Sequence, residues 1–257
     1  MGRLDRQLPV FGEEGQRRIC GARVGIVGCG GLGTSVATAL AVAGVGHFVI
    51  SDPDVPEESN LNRQYVYAGH VGPGVEPRPK AEILAEWILR QNPDAEVELH
   101  VCRFDDSTKH LYDGCDVLVD CLDSIHSRMD LNRYSVETGK PLVHGGINAF
   151  TGEVAVCVPG RTPCLRCMMG EVPEAPRPPA SIGAIVAMTG SMQSAEVLKL
   201  VAGIESGAPG AFLYFDMVDW RFSSIKFQRD PDCPVCGAGR RRGPGAPARF
   251  FTRRGAC

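Results

Sequence analysis

Three groups of residues have the types and spacing to do chemistry. The first is Gly28-Cys29-Gly30-Gly31-Leu32-Gly33, a G-x-G-x-x-G run. Between a strand and a helix, such a turn lets the backbone approach a pyrophosphate while the helix N-terminus offers free N–H groups. Asp52 closes the next apolar run, the place where a carboxylate takes ribose hydroxyls. Alone, these residues fit an NAD enzyme, an ATP enzyme or a tight packing turn. The second group separates those readings. Asp52-x-Asp54 leads into Ser59-Asn60-Leu61-Asn62-Arg63-Gln64, and Lys80 follows. Hydride transfer needs no cluster of cations and amides beside the pyrophosphate. Attack on the α-phosphate of ATP does, because charge spreads over the phosphoryl oxygens and Arg, Lys and Mg²⁺ stabilise it. Asp123 ends the run DVLVDCLD (116–123) and points at the same carboxyl edge of the sheet, where ligands bind and a carboxylate can hold the Mg²⁺ of a triphosphate. Singly, Arg63 and Lys80 also read as solvated charges, and Asn60 and Asn62 as turn residues. The third group is Cys164-x-x-Cys167 with Cys233-x-x-Cys236. Each pair supplies half of a tetrahedral Zn²⁺ site, and together they form a closed, structural one. A redox C-x-x-C competes, but two pairs are present and the Pro-rich stretch 159–180 lacks a thioredoxin-like context.

The elements that must position these groups alternate. Residues 1–22 read as a polar, Arg-rich helical lead-in. VGIV (24–27), HFVIS (47–51), EVELHV (96–101) and DVLVDCLD (116–123) read as strands. Helical patterns separate them: an Ala-rich one closed by Gly44, then 80–91 with Ile83, Leu84, Trp87 and Ile88 on one face, then about 125–138. Residues 53–79 read as loop. This order predicts a parallel, Rossmann-like α/β half over about 1–150. PLVHGG and EVAVCV follow as strands. A long helix over 182–202 offers Val186, Met192, Val197, Leu198 and Val201 to the core. AFLYFD (211–216) and SSIKFQ (223–228) read as an antiparallel pair. The fold class expected is α/β, with the nucleotide-binding half continuing into a mixed sheet that has an antiparallel C-terminal part and a structural zinc site. Residues 1–236 form one domain, its acceptor-binding and zinc half over 151–236, and 237–257 form a disordered basic tail.

Composition bounds the class. The chain has 257 residues with a formal net charge of −3, so nothing global points to nucleic acid or a membrane surface. No run reaches the length of a membrane span, and the start has no apolar leader core. Eleven cysteines, an odd number, argue against a disulfide scaffold and for a reduced, cytoplasmic protein. Cys20, Cys102, Cys115, Cys121 and Cys157 read as small core fillers, Cys29 belongs to the glycine turn, and Cys257 ends the tail. The six histidines show no ligand spacing. His144, beside Gly145-Gly146 at a strand end, reads either as a residue lining the site or as one with a core or surface role, the second being the more common for a single histidine.

The glycine run, Asp52-x-Asp54, SNLNRQ (59–64), Lys80 and DCLD (120–123), in that order, resemble the MoeB/ThiF/HesA family, the bacterial relatives of ubiquitin-activating enzymes. Arg3-Leu4-Asp5-Arg6-Gln7 is similar to the family's opening motif, with Leu where Tyr is usual. GGINAFTGEVAV, PCLRC and CPVCG continue the match, so the resemblance covers residues 3 to 237. It implies adenylation of a carboxylate with release of pyrophosphate, in a homodimer. By matching positions it implies that the glycine turn (Gly28, Gly30, Gly31, Gly33), Asp52, Asp54, Asn60, Asn62 and Gln64 bind ATP, Asp52 on the ribose. Asn60, Arg63 and Lys80 grip the phosphates, Asp123 binds Mg²⁺, and Arg6 reaches into the partner subunit's site. Zinc at the four cysteines is also implied. Two departures stand out. Ser124 replaces the usual Asn after the Asp, and the segment from Met168 to Ser191 lacks the cysteine with which many members form a covalent link to the carrier.

The reaction expected is in-line attack of an ionised carboxylate on the α-phosphate of MgATP. No general base is needed, because a carboxylate is already ionised near pH 7. The first acceptor is the C-terminal Gly-Gly of a ubiquitin-like sulfur carrier. The alternative is a small-molecule or peptide carboxylate, which the missing cysteine suits. A non-catalytic nucleotide-binding adaptor is opposed by Arg63, Lys80 and Asp123 all being in place. An NAD-dependent oxidoreductase is opposed by SNLNRQ and the four cysteines.

Overall fold

A computed structural model describes residues 2–174 and 179–237, and the basic tail read in the sequence lies outside them. The sheet has eight strands in the order β3-β2-β1-β4-β5-β6-β7-β8. These are β1 Arg23–Val27, β2 His47–Ser51, β3 Glu96–His100, β4 Val117–Asp120, β5 Leu142–Asn148, β6 Thr151–Cys157, β7 Ala211–Asp216 and β8 Arg221–Lys226. Strands β3 to β5 pair in parallel, and β5 through β8 pair antiparallel. β1 and β4 are buried along nearly their whole length, as strands covered on both faces must be, so their sequences read as continuous apolar runs.

Helices α1 Leu8–Gly21, α2 Gly31–Val42, α3 Lys80–Gln91, α4 Ile125–Thr138, the short α5 Leu165–Met169 and α6 Gly183–Ala202 cover the sheet. One core lies under α2, α3 and α6 and includes Val36, Leu40, Ile50, Ile88, Val186 and Val197. The other lies under α4 and α5 and includes Tyr112, Leu118, Leu131 and Leu165. Among the described residues, no helix is long and apolar enough to cross a membrane.

Most expected elements stand within a residue or two of their predicted bounds, and four points differ. The lead-in helix starts at Leu8 and is kinked at Gly12, whose φ is 65°. The loop 53–79 contains two 3₁₀ turns, Glu58–Asn60 and Tyr65–Tyr67. β4 stops at Asp120, so Asp123 stands in the β4–α4 loop and not in the strand. On α6, Met192 and Leu198 are only half-buried while the polar Thr189, Gln193 and Ser194 are fully inside. That helix packs a hydrogen-bonding face onto the strands: Gln193 Nε2 donates to the Asp120 carbonyl at 2.9 Å. Two cysteines also depart from the core-filler reading. Cys20 is exposed, and Cys102 is half-exposed at the wall of the main cavity.

Candidate active site

The glycine turn sits at the carboxyl end of β1. Gly28 has φ 98°, and a Cβ there would come within 2.7 Å of the Cys121 carbonyl oxygen. A Cβ on Gly33 would lie 2.0 Å from the Gly28 carbonyl oxygen, so strand and helix approach too closely for any side chain. No side chain caps the N-terminus of α2, and its first N–H groups are left for a ligand. Tyr67, fully buried, donates to the Cys29 carbonyl at 2.5 Å and braces the turn from behind.

Asp52 lies under the turn. Its Oδ2 accepts from the Cys29 N–H at 2.7 Å and its Oδ1 from the Asp54 N–H at 2.9 Å. Burial raises its carboxyl above the usual range, partly offset by those two N–H groups and by the Lys80 charge. Lys80 begins α3, is buried, and reaches Asp54 at 3.3 Å. Arg63 is held by the Ser59 carbonyl at 3.0 Å and the Asn62 side-chain oxygen at 2.7 Å. Buried Gln64 keeps its amide oxygen without a partner.

These groups surround one open cavity of about 980 Å³. Gly28, Gly30 and Gly31 form its floor, and Asp52, Asp54 and Lys80 one wall. Asn60, Arg63 and Gln64 form another, with Asp123 exposed at the β4–α4 loop. Three candidates lie elsewhere. Gly33 packs against the Gly28 carbonyl and does not line the cavity. Asn62 borders a separate cavity of about 290 Å³ and donates to the Ser181 carbonyl at 2.9 Å. Arg6 is exposed on the N-terminal turn, away from this cavity.

A buried ionic network, missed in the sequence, backs the far end. Asp120 accepts from Arg128 Nε at 2.9 Å and lies 2.7 Å from His144 Nδ1, while His144 Nε2 is 3.2 Å from Glu153 Oε1. Asp120 and His144 are fully buried. Burial pushes Asp120 up, but the Arg128 charge and the His144 hydrogen bond outweigh it and hold the carboxyl below its ordinary range. Burial and Arg128 press His144 down, yet its two carboxylate partners raise it above 6.5. Arg128 also donates to the Leu122 carbonyl at 2.6 Å, fixing the loop that carries Asp123. The available signal was an Asp inside an otherwise apolar strand, which must find partners.

The four cysteines converge, with their sulfur atoms all within 4.8 Å of one another. Cys164 and Cys167 begin α5, and Cys233 and Cys236 form the second knuckle. Four thiols at that spacing, three of them buried, fit a tetrahedral Zn²⁺ with no position for water. Burial raises the Cys164 thiol and pushes Cys167 up to about 11, so a dication is what would let them ionise together.

Fold and site define a nucleotide-binding α/β enzyme with a mixed sheet and a cysteine-rich knuckle. The ThiF family model matches residues 4–235, and the chain belongs to that family. It is 39% identical over 235 residues to the SAMP-activating enzyme E1 of Haloferax volcanii, covering 89% of this chain and 85% of that one. It is 36% identical over 255 residues to the sulfur carrier protein adenylyltransferase of Thermus thermophilus, covering 92% and 91%. The mouse adenylyltransferase and sulfurtransferase MOCS3 is 37% identical, and there the match spans 52% of the relative's length. E. coli MccB solved with ATP superposes with a TM-score of 0.80 over 91% of this chain and 74% of that one, at 22% identity, and shares the fold. The enzyme class is that of the adenylyltransferases.

Proposed function

We propose that this enzyme uses ATP to activate the C-terminal carboxylate of a ubiquitin-like sulfur carrier as an acyl-adenylate. The observation that carries the reading is convergence. Two cations, an uncapped helix N-terminus and an exposed carboxylate face one cavity, which continues onto β5 and β6. The names of the Haloferax and Thermus relatives support the carrier as acceptor. A carboxylate oxygen attacks the α-phosphorus, the bond to the α–β bridging oxygen breaks, and pyrophosphate leaves with that electron pair. Arg63 and Lys80 stabilise the charge that develops, and the glycine turn and α2 N-terminus hold the phosphates. Asp52 and Gln64 orient the nucleoside end. Asp123 would hold Mg²⁺, which supplies charge neutralisation on the triphosphate. Arg6, free of ion pairs among the described residues, would complete the site of a partner subunit in a homodimer.

A second reading keeps the chemistry and changes the acceptor. The segment 168–191 has no cysteine to take the activated acyl group, which suits an adenylate handed to a separate nucleophile, as with a small acid or a short peptide. ATP–pyrophosphate exchange separates the two. Exchange dependent on a carrier ending in Gly-Gly supports the first reading; exchange with small acids or peptides but not the carrier replaces it with the second.

A further inference from the structure

The cavity runs past the glycine turn onto the sheet, and its second half has its own geometry. Gly146 on β5 is in register with Glu153 on β6, Glu153 with Tyr214 on β7, and Tyr214 with Ser223 on β8. Partners in register share a face, so these four side-chain positions form a row across the sheet. The first three line the cavity, and the fourth lies toward the open edge. Three strand spacings of about 4.8 Å make a track of about 14 Å, the length of about four extended residues.

Glu153 is the only charged member of that row. A Cβ at position 146 would come within 2.5 Å of its Oε1, so glycine there is what lets the carboxylate lie across β5 toward His144. His144 holds Oε1 at 3.2 Å. The second oxygen, Oε2, has no protein partner among the described residues, and the side chain is 25% exposed, at the cavity wall. It is an anchored carboxylate with one unpartnered oxygen, on a side chain at the cavity wall. An extended peptide offers a backbone N–H at each residue, and the last one precedes the carboxylate that must reach the α-phosphorus.

We propose that Glu153, steadied by His144, is a specificity-determining residue for the acceptor, and that its free oxygen accepts the last backbone N–H of the acceptor's C-terminal segment. This rests on the peptide-tail acceptor of the proposed function. It makes the enzyme a reader of the terminal amide, so a blocked terminal nitrogen is rejected even when the carboxylate is free.

The test crosses substrate with enzyme. A ubiquitin-like carrier ending in Gly-Gly is prepared by semisynthesis with either glycine or N-methylglycine last, and kcat/KM for ATP–pyrophosphate exchange is measured with each. A hydrogen bond to a charged acceptor predicts a loss of about ten- to hundredfold on methylation in the natural enzyme. Glu153→Leu should lower kcat/KM for the unmethylated carrier and bring the two carriers within about twofold of each other. Glu153→Gln keeps a partner for His144 and a neutral carbonyl, so its discrimination should fall between the two; this variant decides the matter if Glu153→Leu does not fold. Equal discrimination in all three enzymes would overturn the assignment of Glu153 and leave the carrier reading standing. No exchange with either carrier in the natural enzyme would overturn the carrier reading and this proposal together.

Discussion

Arg128→Met tests the buried network directly. Arg128 has a side chain 7% exposed and Asp120 one that is 0% exposed, 2.9 Å apart. Removing one partner of such a pair leaves a buried charge uncompensated, at a typical cost of about 3–5 kcal/mol. Asp120 would still keep His144 at 2.7 Å and the Leu122 N–H at 3.0 Å. The lower end, about 3 kcal/mol, is therefore expected, a drop of about 6–12 °C in Tm for a domain of this size. The sign with pH is fixed. Asp120 is depressed in the folded state, so its stabilisation is present above the unfolded value of 3.8 and is lost as pH falls through the folded value. The gap between wild type and variant should thus narrow on acidification. Asp120→Asn combined with Arg128→Met should cost less than the sum of the single changes, because neither charge is then left alone. Urea unfolding carried from pH 7 down to about pH 2, through the range where Asp120 takes up its proton, reads all three quantities. A variant within about 1 kcal/mol of wild type, with a gap that does not move with pH, would refute the buried pair as the loop's support.

Three further outcomes follow from the site. Cys164→Ser should lose bound zinc by elemental analysis and unfold at lower denaturant; a folded, active, metal-free variant would remove zinc from the account. His144 is raised above 6.5, so its stabilisation is complete below that value and fades as pH rises through the folded one. The stability difference between wild type and His144→Asn should shrink from pH 6 to pH 9, and a difference that grows would reverse the assignment. Asp123→Ala and Arg6→Ala should each abolish pyrophosphate exchange without loss of folded structure. Mixing the two should restore it if Arg6 acts across a dimer, since one composite site is then intact, and no recovery would refute its action across the interface.

The parts legible in the sequence are those governed by local periodicity and short motifs. β2, α3, α4 and β7 stand where alternation and helical spacing put them, and the glycine turn, Asp52 and Lys80 meet at one cavity because chain order brings every β–α turn to the same sheet edge. The cysteine pairs were legible because C-x-x-C carries its own bite. The network of Asp120, Arg128, His144 and Glu153 was not, since its members come from β4, α4, β5 and β6 and no local pattern joins them. DCLD holds two carboxylates, and only strand length decides that Asp120 is sealed while Asp123 faces solvent. Cys20 and Cys102 were misread because a cysteine beside an element looks the same inward and outward. The polar face of α6 carries no apolar spacing to read, because its Gln193 bonds strand carbonyls instead of filling space.

One contact bears on how the family can vary. α2, whose N-terminus opens onto the cavity, packs directly against α6, which arrives late in the chain and also covers β4, β5 and β6. Ser35 reaches the Ala187 carbonyl at 3.5 Å, and Val36, Leu40, Val186 and Val197 share one core. A fragment cut near residue 150 would leave the α6-facing side of α2 bare. The two halves are therefore not exchangeable parts, as the lobes of many two-domain enzymes are. New acceptor specificity has to arise by point changes along the sheet or by grafting whole modules onto the ends. Relatives such as the mouse protein, in which the matched region is about half the length, fit the second route.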